Sequence, residues 1–222
     1  MPDFAELPIF PLSNVVLFPQ VQVPLHLFEP RYRQMAADVL DRGGRIGMVV
    51  VRPEHLTEMA GKPPVFPIGC AGRITASQKL EDGRYNIVLA GEARFRIVDE
   101  PEGAPERLYR VARVEPLEDR LDDADVPRVA ALRERVVELV GDLVRLTAPE
   151  QAQDLPQGFL RDTGDVPFVN ALCNALAFAP AEKQGLLDAD SIVERFERLT
   201  QLLAFRVAEL GAAGSPSSGS VH

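Results

Sequence analysis

Residues 7–35 read LPIFPLSNVVLFPQVQVPLHLFEPRYRQM, and the prolines in that stretch decide what it can become. Pro8, Pro11, Pro19, Pro24 and Pro30 each lack a backbone donor and fix φ, so no long helix can run through the first two dozen residues. Extended chain remains. Val21, Val23, Leu25 and Leu27 alternate with Gln20, Gln22, Pro24 and His26, the period-two pattern of a strand with one buried face. Pro24 predicts an edge position or a bulge, because a central strand would need the missing N–H. His26 falls on the solvent side. At Phe28-Glu29-Pro30-Arg31-Tyr32 the period changes, and Tyr32, Met35, Ala36, Val39 and Leu40 follow helical spacing. Pro30 suits the first turn, and Glu29 places a negative charge at the positive end of the helix dipole. A capping carboxylate, a cation and a half-buried aromatic account for Glu29, Arg31 and Tyr32 as the structural corner between strand and helix.

The strand signals continue beyond that corner. Ile46-Gly47-Met48-Val49-Val50-Val51, a continuous apolar run after Gly43-Gly44, reads as a strand buried on both faces and ended by Arg52-Pro53. Residues 53–67 hold Pro53, Pro63, Pro64, Pro67 and Gly61, which predict an ordered loop with little regular structure. Its apolar members Leu56, Met59, Val65 and Phe66 admit two readings: a satellite cluster tucked under the loop, or a surface that takes apolar peptide. Strand-like chain flanks Glu81-Asp82-Gly83-Arg84, where Asp-Gly predicts a hairpin with a type I′ turn. Tyr85, Ile87 and Leu89 share one face, and Gly91 predicts a bulge or bend. Arg94-Phe95-Arg96-Ile97-Val98 resumes the alternation, with Arg94 and Arg96 as outward cations paired with strand neighbours. Tyr109 to Val114 supplies a last strand. Strands on this scale with one interrupting helix, between residues 7 and 117, predict a small, partly closed barrel.

A boundary falls near Leu121-Asp122-Asp123-Ala124-Asp125, an acidic linker that lacks the central glycine and distant glutamate of a calcium loop. Val129, Leu132, Val136, Leu139, Leu143 and Leu146 then recur at alternating spacings of three and four, a seam along one long helix. Thr147-Ala148-Pro149 ends it, and residues 149–163 read as a mixed connection. Asp165 before Val166-Pro167 starts a helix buried through Val169, Leu172, Cys173 and Leu176. Pro180 opens a short helix through Leu187, and Asp190 caps a last one in which Ile192, Phe196, Leu199, Leu203 and Leu210 recur. The predicted fold class is α+β: a β-barrel over residues 5–120, a helical bundle over 121–210, and a disordered tail over 211–222.

Signals for chemistry are sparse. The sequence has no Gly-x-x-x-x-Gly-Lys-[Ser/Thr] loop, no His-Glu-x-x-His and no Cys-x-x-Cys. With only His26, His55 and His222, a metal site or a catalytic triad has few ways to be built, and Cys70 with a histidine is the remaining nucleophile and base. No catalytic residue, metal or cofactor is expected. The net charge of −9, concentrated in the second half, opposes a general nucleic-acid-binding role. Met1-Pro2-Asp3-Phe4-Ala5-Glu6 has no secretory h-region and no apolar run is long enough to span a membrane, so a cytoplasmic protein is expected. Cys70 and Cys173 are expected as free, buried thiols.

Several spaced motifs are familiar together. Leu7-Pro8-Ile9-Phe10-Pro11-Leu12, Phe28-Glu29-Pro30-Arg31-Tyr32, Asp82-Gly83-Arg84-Tyr85, Gly91 followed by Arg94-Phe95-Arg96-Ile97, and Glu182-Lys183-Gln184-Gly185-Leu186-Leu187 occur in this order. In these residues the chain, over roughly 5–210, resembles the N-terminal, substrate-binding domain of the Lon protease family. The ATPase and protease domains that follow in a full Lon protease have no counterpart here. The resemblance implies a PUA-like pseudo-barrel followed by the helical bundle, and a stand-alone, non-enzymatic module that binds unfolded or damaged protein segments, with a protease or chaperone as a possible partner. It makes Phe28, Glu29, Arg31 and Tyr32 family-motif residues of structural role. Two other classes stay open: RNA binding by the barrel through Arg73, Arg94, Arg96, Arg110 and Arg113, and a small-ligand or enzymatic pocket between barrel and bundle. Oligomeric state is not legible.

Overall fold

The protein is described here by a computed structural model that covers residues 5–151 and 162–213. The prolines leave the first part of the chain extended, as β1 (Glu6–Leu12) and β2 (Gln22–Leu27), and Pro30 opens α1 (Pro30–Leu40) at its first position. The apolar and alternating runs that follow become β3 (Arg45–Val50), β4 (Ile68–Lys79), β5 (Tyr85–Asp99) and β6 (Arg110–Leu117). The sheet order is β2-β5-β4-β3-β1-β6, and β6 also pairs with β5. Five strands therefore close on themselves while β2 hangs on β5 outside the ring, a pseudo-barrel and not a clean barrel. The edge position expected from Pro24 is what β2 occupies. Among the described residues only β1 and β3 run parallel, with Ile9 opposite Gly47 and Leu12 opposite Val50.

Ring closure depends on one long, bent strand. The first half of β5 pairs with β2 and with the far half of β4, and its second half pairs with the near half of β4 and with β6. The bend lies at Gly91, where the register with β4 slips between Ala71/Ala93 and Gly72/Gly91. Gly91 donates to Val21 O and accepts from Gln20 N, both at 2.8 Å. A Cβ on Gly91 would collide with the carbonyl oxygen of Phe18, so only glycine permits this approach. The β4–β5 hairpin differs from expectation. Gly83 alone has positive φ (+80°), and its N–H donates to Leu80 O while Leu80 N donates to Arg84 O. That is a three-residue loop ending in a left-handed glycine; a type I′ turn would also need positive φ at Asp82.

The strands of the ring bury both faces. Phe10, Ile46, Met48 and Cys70 face a cluster built with Tyr32, Met35 and Ala36 of α1, while Leu7, Ile9, Val49 and Ala71 face a second cluster with Phe95, Ala112 and Val114. This is why β3 reads as an unbroken apolar run.

The chain divides into two compact units. The first joins the chain up to Asp119 with Asn170–Asp188, and the second joins Arg120–Val169 with the chain from Ala189 onward, the division falling within α3 (Asp165–Ala175). The sequence pattern gave residues 121–210 wholly to the bundle. In the first unit, α4 (Pro180–Leu187) supplies Gln184, whose Nε2 donates to Ile68 O at 3.0 Å. It also supplies Leu187 O, which accepts from Arg94 Nη1 at 2.8 Å. Arg94 is thus buried (2% exposed) and ion-paired with Asp119 at 2.7 Å, contrary to its expected outward position; Arg96 alone of the two is exposed.

In the second unit α2 (Val126–Thr147) packs along α5 (Ile192–Ala213). The predicted seam is buried at Val129, Val136 and Leu139, is half-buried at Leu132 and Leu143, and reaches solvent at Leu146. Phe168 stacks on Phe196 with ring centroids 6.1 Å apart, and the Arg133 guanidinium lies 4.1 Å from the Phe168 ring while pairing with Asp165. Ser191, not Asp190, caps α5: its Oγ accepts from Glu194 N at 3.1 Å, and Glu194 Oε2 accepts from Asp190 N. The helix continues through Gly211–Ala213, where the sequence pattern predicts tail; residues 214–222 and most of the 149–163 connection lie outside the described residues.

Candidate functional site

The prolines of residues 53–67 prevent a long regular element there, and the segment forms a short 3-10 turn (Pro53–Glu58) followed by irregular chain. Arginines from the scaffold hold its backbone. Arg31, at the start of α1, donates to Met59 O at 2.6 Å and Gly61 O at 3.1 Å. Arg110 of β6 donates to Pro63 O at 2.7 Å, and Arg52 Nε donates to Val65 O at 3.3 Å. A planar guanidinium with several donors can satisfy neighbouring carbonyls at once, which an ammonium cannot do in the same geometry.

The FEPRY segment explains how Arg31 is aimed. Glu29 occupies the N-cap position of α1 yet makes no side-chain cap bond; its carboxylate instead accepts from Arg31 Nε at 2.9 Å. The expected capping role is therefore replaced by an orienting one. Tyr32 is buried, edge-on to Phe10 at 4.4 Å between centroids, with the Arg31 guanidinium 4.6 Å from its ring. Burial pushes its hydroxyl pKa up to about 12, against a smaller opposing effect of Arg31. Phe28 points outward, 60% exposed and stacked on His26 at 6.2 Å, and its place in the motif gave no sign of this.

The four loop apolars part company. Leu56 is exposed (44%), and Met59 is half-buried. Val65 bridges to Val51 and packs against the second core cluster, and half-buried Phe66 lies 5.8 Å below the Arg52 guanidinium. The structure brings Arg31 and Met59 together, and sets Val65 toward the core.

Beside the loop lies a cavity of about 480 Å³. Gly61 and Lys62 line it from the loop, Arg31 and Tyr32 from α1, and Pro101, Arg107, Leu108 and Arg110 from the β5–β6 connection and β6. Sequence reasoning missed it because its lining comes from segments thirty to seventy residues apart, and the one that carries a motif, Arg31 and Tyr32, reads as a self-contained structural corner.

The arginines proposed for RNA are mostly neutralised. Arg73 shares Glu92 with Arg45, Arg94 pairs with Asp119, Arg110 with Glu100 and Arg113 with Asp99. Partial burial pushes the Glu92 carboxyl up, but hydrogen bonds and charge from Arg45 and Arg73 outweigh it and hold the pKa below the usual range. His26 bonds Asn86 at 2.7 Å and His55 bonds Glu58 at 2.8 Å. Among the described residues no group of His, Cys, Asp and Glu is placed to hold a metal ion, both cysteines are buried and outside any disulfide, and no helix is long and apolar enough to cross a membrane.

Comparison with known proteins gives this arrangement its relatives. The Lon protease of Flavobacterium johnsoniae is 27% identical over 190 residues, covering 86% of this chain and 23% of that protein. Lon protease 2 of Sorangium cellulosum is 32% identical over 142 residues, covering 63% and 17%. The chain thus spans about a quarter or less of these relatives. Among solved structures, the N-terminal domain of Mycobacterium avium complex Lon protease superposes with TM-score 0.67 at 15% identity, covering 90% of this chain and 98% of that one. The Lon N-terminal domain protein from Xanthomonas campestris gives 0.58 at 22% identity, covering 91% and 99%. These two share the fold. The model of the ATP-dependent protease La (LON) substrate-binding domain matches residues 6–204, from β1 to within α5, and the chain belongs to that family.

Proposed function

We propose that the protein is a non-enzymatic module, acting in the cytoplasm, that binds unfolded or damaged segments of other proteins on the surface formed by residues 53–67, and that a protease or chaperone partner receives them. The observation that carries this reading is the pinning of the loop backbone by Arg31, Arg52 and Arg110 while Leu56 stays exposed and Met59 half-exposed. A loop fixed before binding loses little conformational entropy when a segment docks, so modest apolar contact suffices for tolerant, weak recognition. Val65 and Phe66 belong to the proposed surface as its half-buried floor.

The test is binding of a fluorescently labelled, permanently unfolded polypeptide, followed by anisotropy. Leu56→Ser combined with Met59→Ser is expected to weaken binding about fivefold to tenfold, the scale of one to two apolar side chains losing contact. The melting temperature should stay within a degree or two, since neither residue is buried. Unchanged affinity in a folded variant would remove the loop from the reading.

A further inference from the structure

Among the described residues, two cations lining the cavity beside the loop have no hydrogen-bond or ion-pair partner for their side chains. Arg107 Nε is buried without an acceptor, and Lys62 is exposed with no ion pair. The other cations there are engaged, Arg31 by Glu29 and two loop carbonyls, and Arg110 by Glu100 and Pro63 O. Because that Nε is covered by the protein, an anion in the cavity would meet Arg107 at its terminal guanidinium nitrogens, and two cations without an acidic partner favour one there. Arg107 is also preset. Its guanidinium lies 5.9 Å from the centroid of the Tyr109 ring, and the Tyr109 hydroxyl donates to Asp38 Oδ2 at 3.0 Å. Pro101 and Leu108, the latter 58% exposed, give the same cavity apolar surface.

We propose that this cavity binds the carboxylate of an apolar peptide segment, with Arg107 and Lys62 taking the charge and Leu108 and Pro101 the adjoining apolar side chain. A planar guanidinium fork matches a carboxylate, and a volume of about 480 Å³ has room for a terminal residue with its backbone. Glu102, exposed in the cavity lining, opposes a second negative charge and so favours a monoanion over a phosphate. The inference rests on the reading of the loop as a peptide-binding surface, since Gly61 and Lys62 belong to both. The carboxylate can be a chain terminus or an acidic side chain.

The experiment titrates small probes into the isotope-labelled protein and follows amide and Arg107 Nε–H resonances. N-acetyl-leucine carries a terminal carboxylate, N-acetyl-glutamate α-amide a side-chain one, and N-acetyl-leucinamide none. Expected are shifts confined to the cavity lining, residues 9–11, 31–32, 61–62 and 100–111, with a dissociation constant at least about tenfold lower for a carboxylate probe than for the amide, as a charge-assisted hydrogen bond implies. Whichever carboxylate binds tighter identifies the source. Arg107→Gln should abolish the discrimination, and Lys62→Gln, at an exposed position that leaves the fold untouched, should reduce it severalfold. Equal shifts from the amide, carboxylate shifts elsewhere, or none at all would overturn the proposal. Because neither Leu56 nor Met59 lines the cavity, loss of the Leu56 and Met59 effect on unfolded polypeptide would overturn the loop reading without imitating this result.

Discussion

Gly91 and Tyr32 show how single residues fix this architecture by opposite means, one through the absence of a side chain and one through a side chain that must stay neutral. Gly91→Ala places a methyl against the Phe18 carbonyl at the bend that lets β5 serve both β2 and β6. Backbone on both sides has to move, so the substitution is expected to destabilise by about 2–3 kcal/mol or more in urea unfolding. Gly185→Ala, in α4 and with open space around its Cβ, should instead gain up to about 1 kcal/mol. Equal effects at the two positions would remove the steric account. For Tyr32 the prediction concerns pH. Its folded pKa, about 12, lies above the ordinary 10.0, so its contribution to stability is complete below pH 10 and drains away as pH rises toward 12. Two pKa units correspond to roughly 2–3 kcal/mol at the upper limit. Tyr32→Phe keeps the ring against Phe10 and removes the ionisable group; the wild-type minus variant difference in unfolding free energy should fall between pH 10 and 12 and be flat below, and a flat difference throughout would refute it.

The elements were legible where a local pattern coincides with a local cause. Pro24 marks an edge strand because a missing donor is tolerated only there, and the run at 46–51 marks a central strand because both its faces are covered. The candidate site was legible only in part. Residues 53–67 announce a loop, but what holds it comes from Arg31 and Arg110, tens of residues away in sequence. The FEPRY corner therefore reads as self-contained when its arginine serves another element. Arg31→Lys tests this coupling. A lysine keeps the charge beside Glu29 but cannot also satisfy the Met59 and Gly61 carbonyls. Hydrogen exchange at residues 54–62 should accelerate by about an order of magnitude, with the amides of α1 beyond its first turn unchanged. Faster exchange along the whole of α1 would instead make Arg31 a helix residue only.

At the scale of the whole molecule, the sequence places the end of the barrel near residue 120, and the compact unit does break after Asp119, but that unit also recruits Asn170–Asp188 from far along the chain. Nothing local could reveal this. The periodicity of residues 165–187 says that one face of each helix is buried and is silent about what buries it, so on sequence alone the segment reads as part of the bundle it adjoins. The same blindness turned Arg94 outward: as one member of an alternating strand it looks solvated, yet Leu187 O and Asp119 receive its guanidinium in the interior. A barrel cut at residue 120 would therefore leave Arg94 without the Leu187 carbonyl and Ile68 O without Gln184 Nε2. Such a fragment is expected to unfold at distinctly lower urea concentration than the full chain. Arg94→Ala in the full chain, which removes the buried partner of Asp119 and the donor to Leu187 O, should cost about 3–5 kcal/mol and reproduce part of that loss. A fragment as stable as the full chain would mean that residues 170–188 rest on the barrel without supporting it.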